Sequence, residues 1–200
     1  MSTCWYLHSF SLDRFKQVFG SATPEQEEKL LEFIEDSDEG YEDDDERELA
    51  VLLAKKILHG GISYKGKRED EKVMLDDIVT RAFHEMGLGE ELEEKPISPE
   101  PVTLDLAEEL IEHASPGGLI SFLSEGRRFG TNEPAALLMG YFILTADEVR
   151  KLKSEVDELI ANPSIQWKWP QVPEQAKDNI SQPLGKIAGK SNIGLYAVLT

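Results

Sequence analysis

Between Glu35 and Glu48 the chain carries ten carboxylates and one arginine. A core cannot absorb such a run, because each unpaired charge taken out of water costs more than its apolar contacts return. The stretch is therefore expected to form a solvated, self-repelling loop, over about 36–45, between two helices. The core has to be assembled from the segments that flank it. The wider window 24–50 holds 14 acidic and 2 basic residues, a net of −12, while 151–200 holds 5 acidic and 6 basic residues, a net of +1. Over all 200 residues the formal charge is −18. That surplus repels nucleic acid and anionic membrane surfaces, and favours solubility and basic partners. With 40% hydrophobic residues, one core can form across a single domain, 1–200, and global disorder is excluded.

No apolar run approaches the roughly 20 residues that a membrane-crossing helix needs. Met1 to Phe10 lacks the basic-then-apolar order of a secretory signal. Cys4 is the single cysteine, which excludes an internal disulfide framework and a multi-cysteine zinc site. The expectation is a soluble, cytoplasmic protein with no cofactor, no nucleic-acid partner and no membrane partner.

Local signals divide the chain further, and no internal repeat is present. Cys4 to Phe10 is short and aromatic-rich, as a strand is, and Ser11 is placed to cap a helix from Leu12 that Gly20 ends. Thr23-Pro24-Glu25-Gln26 is a capping box with proline at the first helical position. Helical spacing of apolar residues predicts further helices over about Asp45 to His59, Glu69 to Met86 and Leu104 to Ala114. Residues 89–101, with four glutamates before Pro96 and then Pro99 and Pro101, are expected to be a mobile loop. Leu119 to Leu123 and Leu138 to Leu144 are apolar runs expected as strands, with Glu125 to Gly130 as a loop between them. Thr145 to Glu148 is a second capping box, opening a helix that ends at Asn162-Pro163. Pro173 to Ile187 is expected to be partly helical and interrupted by Pro183, and Gly194 to Leu199 is the closing strand. Strands at both ends and in the third quarter, with helices elsewhere, give no βαβ alternation. The expected class is α+β, a small, mostly antiparallel sheet with about six helices, its two terminal strands paired.

The order of these segments resembles an uncharacterised family of small bacterial proteins of unknown function. The residues that carry the resemblance are Trp5 to Gly20 with Ser11-Leu12-Asp13-Arg14, Leu58-His59-Gly60-Gly61, Gly140-Tyr141 leading into Leu144 to Val149, and Gly194 to Leu199. A more distant similarity is to the YfbM-like proteins. The resemblance implies a bacterial single-domain protein and transfers no catalytic residue.

Several constellations bear on chemistry. With Gly40 as the sixth position of a calcium loop, Glu35, Ser37, Glu39, Asp43 and Glu46 supply oxygens at the ligand positions. A glutamate first and Glu42 at the usually apolar eighth position argue against a specific site, leaving weak divalent binding. Gly185 to Ser191 imitates a phosphate-binding loop, but only three residues separate its glycines. The alternative there is a flexible basic turn. Arg127 and Arg128, between Gly126 and Gly130, are candidate anion ligands, unless they pair with the protein's own carboxylates. Trp167 and Trp169 lie two apart and either anchor a partner or lid the core. The histidines His8, His59, His84 and His113 form no metal motif; His84-Glu85 and Glu109/His113 place an acid beside a base. Cys4 is expected to be a small buried residue, and no serine sits in a nucleophile elbow.

With no catalytic motif, the reading favours binding over catalysis. The protein is expected to be an acidic interaction protein, immunity-like or inhibitory toward a basic protein partner. Asp43, Asp44 and Asp45 would form its steering surface, and Trp167 and Trp169 an apolar anchor. The alternatives are a small-ligand or hydrolytic site at Arg127 and Arg128, with His8 or Tyr6 nearby, and divalent-metal binding between Glu35 and Glu46.

Overall fold

The computed structural model describes residues 3–36, 41, 43–85, 96–135 and 140–199, with the side chains of Asp36, His84, Glu85 and Glu125 left out of the description. The chain divides into two units, Ser11–Glu93 and Met1–Phe10 with Glu94–Thr200.

The Ser11–Glu93 unit is helical: α1 (Leu12–Ser21), α2 (Pro24–Asp36), α3 (Asp44–Gly60) and α4 (Glu69–Glu85). Each start is fixed by a side chain that satisfies a free backbone N–H. Ser11 Oγ accepts from the Arg14 N–H at 3.3 Å. Thr23 and Gln26 form the reciprocal box expected, at 2.9 and 3.3 Å. Asp43 Oδ1 accepts from the Glu46 N–H at 2.9 Å. α3 lies against α1, α2 and α4 and brings Leu53, Ala54, Ile57 and Leu58 to the core. Phe15, Phe19 and Phe83 form a tilted aromatic group in that core, with centroids 4.8 to 6.3 Å apart. Two tyrosines tie the interhelical segments to α4. Tyr41 donates to Asp77 at 3.1 Å, and Tyr64 donates to Asp76 at 3.0 Å.

The second unit is built on a four-stranded antiparallel sheet of β1 (Cys4–Ser11), β2 (Val102–Thr103), β3 (Tyr141–Leu144) and β4 (Ile193–Leu199), in the order β2-β1-β4-β3. The terminal strands β1 and β4 are neighbours, as expected. Tyr141 faces Val198 and Leu144 faces Leu195, a register that puts Phe142, Leu144, Leu195 and Ala197 on one face with Trp5 and Leu7. Helices α5 (Leu104–His113), α6 (Phe122–Glu125), α7 (Ala146–Ile160), α8 (Val172–Ala176) and α9 (Gln182–Ile187) complete the unit. Leu106 and Leu110 of α5, Val149, Leu152 and Val156 of α7, and Ala176 and Leu184 join that face in one core. Trp5 has no exposed surface, stacks at a tilt on Phe142 at 5.1 Å, and donates its indole N–H to Leu123 O at 2.8 Å. A tryptophan is buried without penalty only when its N–H finds such a partner.

The class is α+β, as expected, but three segments differ from the sequence reading. Leu119 to Leu123 is not a strand. Leu119–Ser121 is a 3-10 turn that runs into α6. The cause is remote: Glu155 of α7 accepts the Leu119 and Ile120 N–H groups at 2.6 and 3.2 Å, so the run starts as a helix does. β2 was not expected, because two residues carry no periodicity; it exists by pairing with Cys4 and Trp5. Pro183 does not interrupt the helical stretch. A π-helical turn, Lys177–Ser181, precedes it, with the Gln182 N–H bonded to Lys177 O. Proline lacks an N–H and crowds the carbonyl four residues earlier, and the wider turn accommodates both. Asp157 of α7 accepts from Ser181 of this turn and from Lys153. Burial works to raise the Asp157 carboxyl, but those two bonds outweigh it and hold it below the usual aspartate range. Of the expected mobile loop, 89–95 lies outside the described residues. Residues 96–101 are mostly bends, with the Ile97 N–H on Leu7 O at 2.8 Å and Ser98 buried. Residues 138 and 139 of the expected third strand also lie outside.

After α6 the chain turns at Gly126, whose φ is +71°. A Cβ here would overlap the Tyr141 carbonyl and stand 2.8 Å from its nitrogen. Gly126→Ala is therefore expected to destabilise by more than about 1 kcal/mol, from backbone strain and overlap together. Urea unfolding measures it; a wild-type midpoint would show that the turn tolerates a side chain.

Candidate functional site

The acidic surface follows from the helix starts. Asp43, Asp44, Asp45 and Glu46 are all exposed at the opening of α3, and the Asp44 side chain is 99% accessible. Carboxylates are favourable at that end of a helix, so the charge sits where the fold tolerates it. Glu25 and Glu27 occupy the first turn of α2, and Glu69, Asp70 and Glu71 that of α4. The Ser11–Glu93 unit holds 24 acidic and 11 basic residues, a net of −13 of the chain's −18. Leu52, 49% exposed, and Val73, 44% exposed, are in the same unit. Tyr41, within the acidic segment, is buried, and its Asp77 partner also accepts from Arg81 Nε at 2.7 Å. Burial first, then the charge of Asp77, pushes the Tyr41 hydroxyl above the usual tyrosine range, so it stays a neutral donor.

The calcium-loop alignment is only partly covered. Ser37, Glu39, Gly40 and Glu42 lie outside the described residues. Glu35 is exposed on α2, and one Asp43 oxygen is engaged in capping α3 through the Glu46 N–H. Among the described residues, no group of three or more His, Cys, Asp or Glu side chains is placed to hold a metal. The phosphate-loop imitation is absorbed into helix. Gly185 lies within α9, and the Ala188 and Lys190 N–H groups bond to Leu184 O and Ile187 O. Backbone donors engaged in this way are not free to cradle a phosphate.

Arg127 and Arg128 are both buried. The Arg127 N–H donates to Tyr141 O at 2.7 Å, and its guanidinium donates to Ile143 O at 2.9 Å and to Glu148 Oε1 at 2.7 Å. The same guanidinium lies over the Phe122 ring at 4.6 Å. Arg128 pairs with Glu133 at 3.3 Å. Both arginines are thus engaged by the protein's own carboxylates, which was the alternative to anion binding. Glu148 also closes the capping box of α7, accepting from the Thr145 N–H at 2.9 Å. Burial works to raise the Glu148 carboxyl; the Arg127 hydrogen bond, then Thr145, outweigh it and hold it below the usual glutamate range.

Trp167 and Trp169 are half-buried against the core of the sheet unit. Trp167 meets the His113 ring edge-on at 5.1 Å, and Lys168 Nζ lies over the Trp169 ring at 4.6 Å. The Lys168 N–H donates to Glu109 Oε1 at 2.7 Å, and Glu109, 3.7 Å from His113 Nε2, is itself buried. The pair seen in the sequence as an acid beside a base is therefore a fastening for this segment. His84-Glu85 has its side chains outside the description. His59 pairs with Glu27 at 2.7 Å, and His8 lies 6.4 Å from the Tyr196 ring.

A feature the sequence reading missed is a cleft of about 450 Å³ between the C-terminal end of α5, the turn 114–118 and one face of α7. Its polar lining includes His113, Ser115, Lys151, Glu155, Glu158 and Asn162. The only sequence signal was the Ser115-Pro116-Gly117-Gly118 break; the α7 residues that complete the cleft lie more than thirty positions on.

The depressed Glu148 carboxyl gives a pH dependence of known sign. Its contribution is complete above the usual glutamate range and is lost as pH falls through its lowered value. Glu148→Gln is expected to cost about 1–2 kcal/mol at neutral pH and to flatten the decline of stability on acidification. Urea unfolding across pH checks it; parallel profiles for the two proteins would contradict the assignment.

The chain matches no protein-family model, no curated protein and no solved structure, so no activity comes to it from a relative.

Proposed function

We propose that the protein acts by binding, its acidic helical unit steering a basic protein partner in an immunity-like or inhibitory role. One observation supports this above the others. The Ser11–Glu93 unit concentrates a net charge of −13 and holds Asp43, Asp44 and Asp45 exposed at a capped helix start. Charge on a fixed frame gives a directed field, which raises the rate of encounter with a basic surface and selects against acidic ones. Trp167 and Trp169, each partly exposed, are the proposed apolar anchor of the other unit. The hydrolytic reading through Arg127 and Arg128 has no comparable support, because both guanidiniums are engaged internally. The proposal includes a reducing, cytoplasmic setting, in keeping with the one cysteine.

The test begins with capture from a lysate of the source organism and elution on a salt gradient, expected to release a basic protein at modest salt. With that partner, Asp44→Lys/Asp45→Lys is expected to slow association on the order of ten-fold at low salt and to change dissociation little. Asp43 is left in place because it caps α3. Association as fast as wild type, or insensitive to salt, would refute the steering surface.

A further inference from the structure

We propose that the cleft between the end of α5, the turn 114–118 and α7 binds an alkylammonium group, with Glu158 as its counter-ion. Two helix C-termini border the cleft: His113 and Ala114 close α5, and Leu159 and Asn162 stand at the end of α7. Both present the negative end of a helix dipole. The last turn of α7 contains no basic residue and carries Glu158, a charge of the wrong sign for that position. The second acid in the cleft is already compensated. Glu155 accepts two backbone N–H groups and lies 3.7 Å from Lys151. Among the described residues Glu158 pairs with no cation. One of its oxygens accepts from the Ser154 hydroxyl at 2.9 Å, and the other has no hydrogen bond among the described residues.

Lys151 pairs with Glu155 and His113 with Glu109, which leaves in this polar cleft one carboxylate without a cation among the described residues. The chemistry of the walls selects the cation. Among the described residues no three-ligand set for a metal exists, whereas Ser115 offers a hydroxyl acceptor and the partly exposed Leu159 an apolar surface. An ammonium with three donors and a short hydrocarbon stem matches both parts. The shared chemistry is that of a free aliphatic amine and of a lysine side chain. This site belongs to the sheet unit and does not rest on the proposed function.

The experiment is a titration of the full chain with putrescine, followed through the NMR amide signals of Gly117, Gly118 and Asn162. n-Butanol is the neutral control, and N-acetyl-lysine amide stands for a protein lysine. Saturable shifts are expected with putrescine and none with n-butanol. Glu158 is exposed, so Glu158→Gln should fold, and it should weaken putrescine binding at least roughly five-fold. Glu158→Lys supplies the missing cation from the chain, and should abolish binding and raise the melting temperature. Saturation by putrescine alone assigns the site to free amines; saturation by the lysine derivative as well assigns it to lysine side chains. No saturable shift with either, or unchanged putrescine affinity in both Glu158 variants, overturns the proposal.

Discussion

The sheet unit depends on how Arg127 closes the outer edge of β3. β3 is the last strand in the sheet, and an edge strand leaves a row of carbonyl and N–H groups without partners. Arg127 takes two of those carbonyls, Tyr141 O with its own N–H and Ile143 O with its guanidinium. The approach is close enough that residue 126 must be glycine. The same guanidinium rests on Phe122 of α6 and pairs with Glu148, which in turn caps α7. One side chain therefore fastens α6, the sheet edge and the start of the longest helix of the unit. Leaving even one of these buried acceptors unpaired costs about 1–3 kcal/mol, and an unpaired buried charge costs more.

This use of arginine bears on function. Arg127 and Arg128 were the candidate ligands for an anion, and the fold engages both internally. The acids are distributed in the opposite way. Carboxylates such as Glu148, Glu155 and Asp157 are engaged within the sheet unit, whereas Asp43, Asp44 and Asp45 remain at the surface of the helical unit. Charge left in water after the fold has taken what it needs is available for a partner, and here that charge is negative. Within the sheet unit Glu158 is also left without a cation among the described residues, at the end of a helix.

What could be read in advance was whatever depends on neighbours in sequence. Ser11 and the Thr23–Gln26 and Thr145–Glu148 boxes are present, because capping acts within a few residues. The expected pairing of the terminal strands is also present, but it joins opposite ends of the chain and no local signal carried it. The readings that failed depend on distant partners. Leu119 to Leu123 has the composition of a strand, but Glu155, about 35 positions on, makes it helical. β2 is a strand only because Cys4 and Trp5 lie beside it. The exposure of Asp43 to Asp45 was legible from charge density alone. The fate of the arginines was legible only as a choice between two partners, and the cleft at Glu158 was not legible, since α5 and α7 are far apart in sequence.

The most direct test of this account is the urea unfolding of Arg127→Ala and Arg127→Lys, with and without inorganic phosphate. The alanine variant is expected to lose about 3 kcal/mol. The lysine variant should recover only part, since one ammonium cannot bond Ile143 O, pair with Glu148 and cover Phe122 at once. Phosphate should shift wild type and the lysine variant equally, through its general exclusion from protein surfaces. A wild-type midpoint for Arg127→Ala, or a phosphate shift larger in wild type than in the lysine variant, would contradict the account and return Arg127 to the role of an anion ligand.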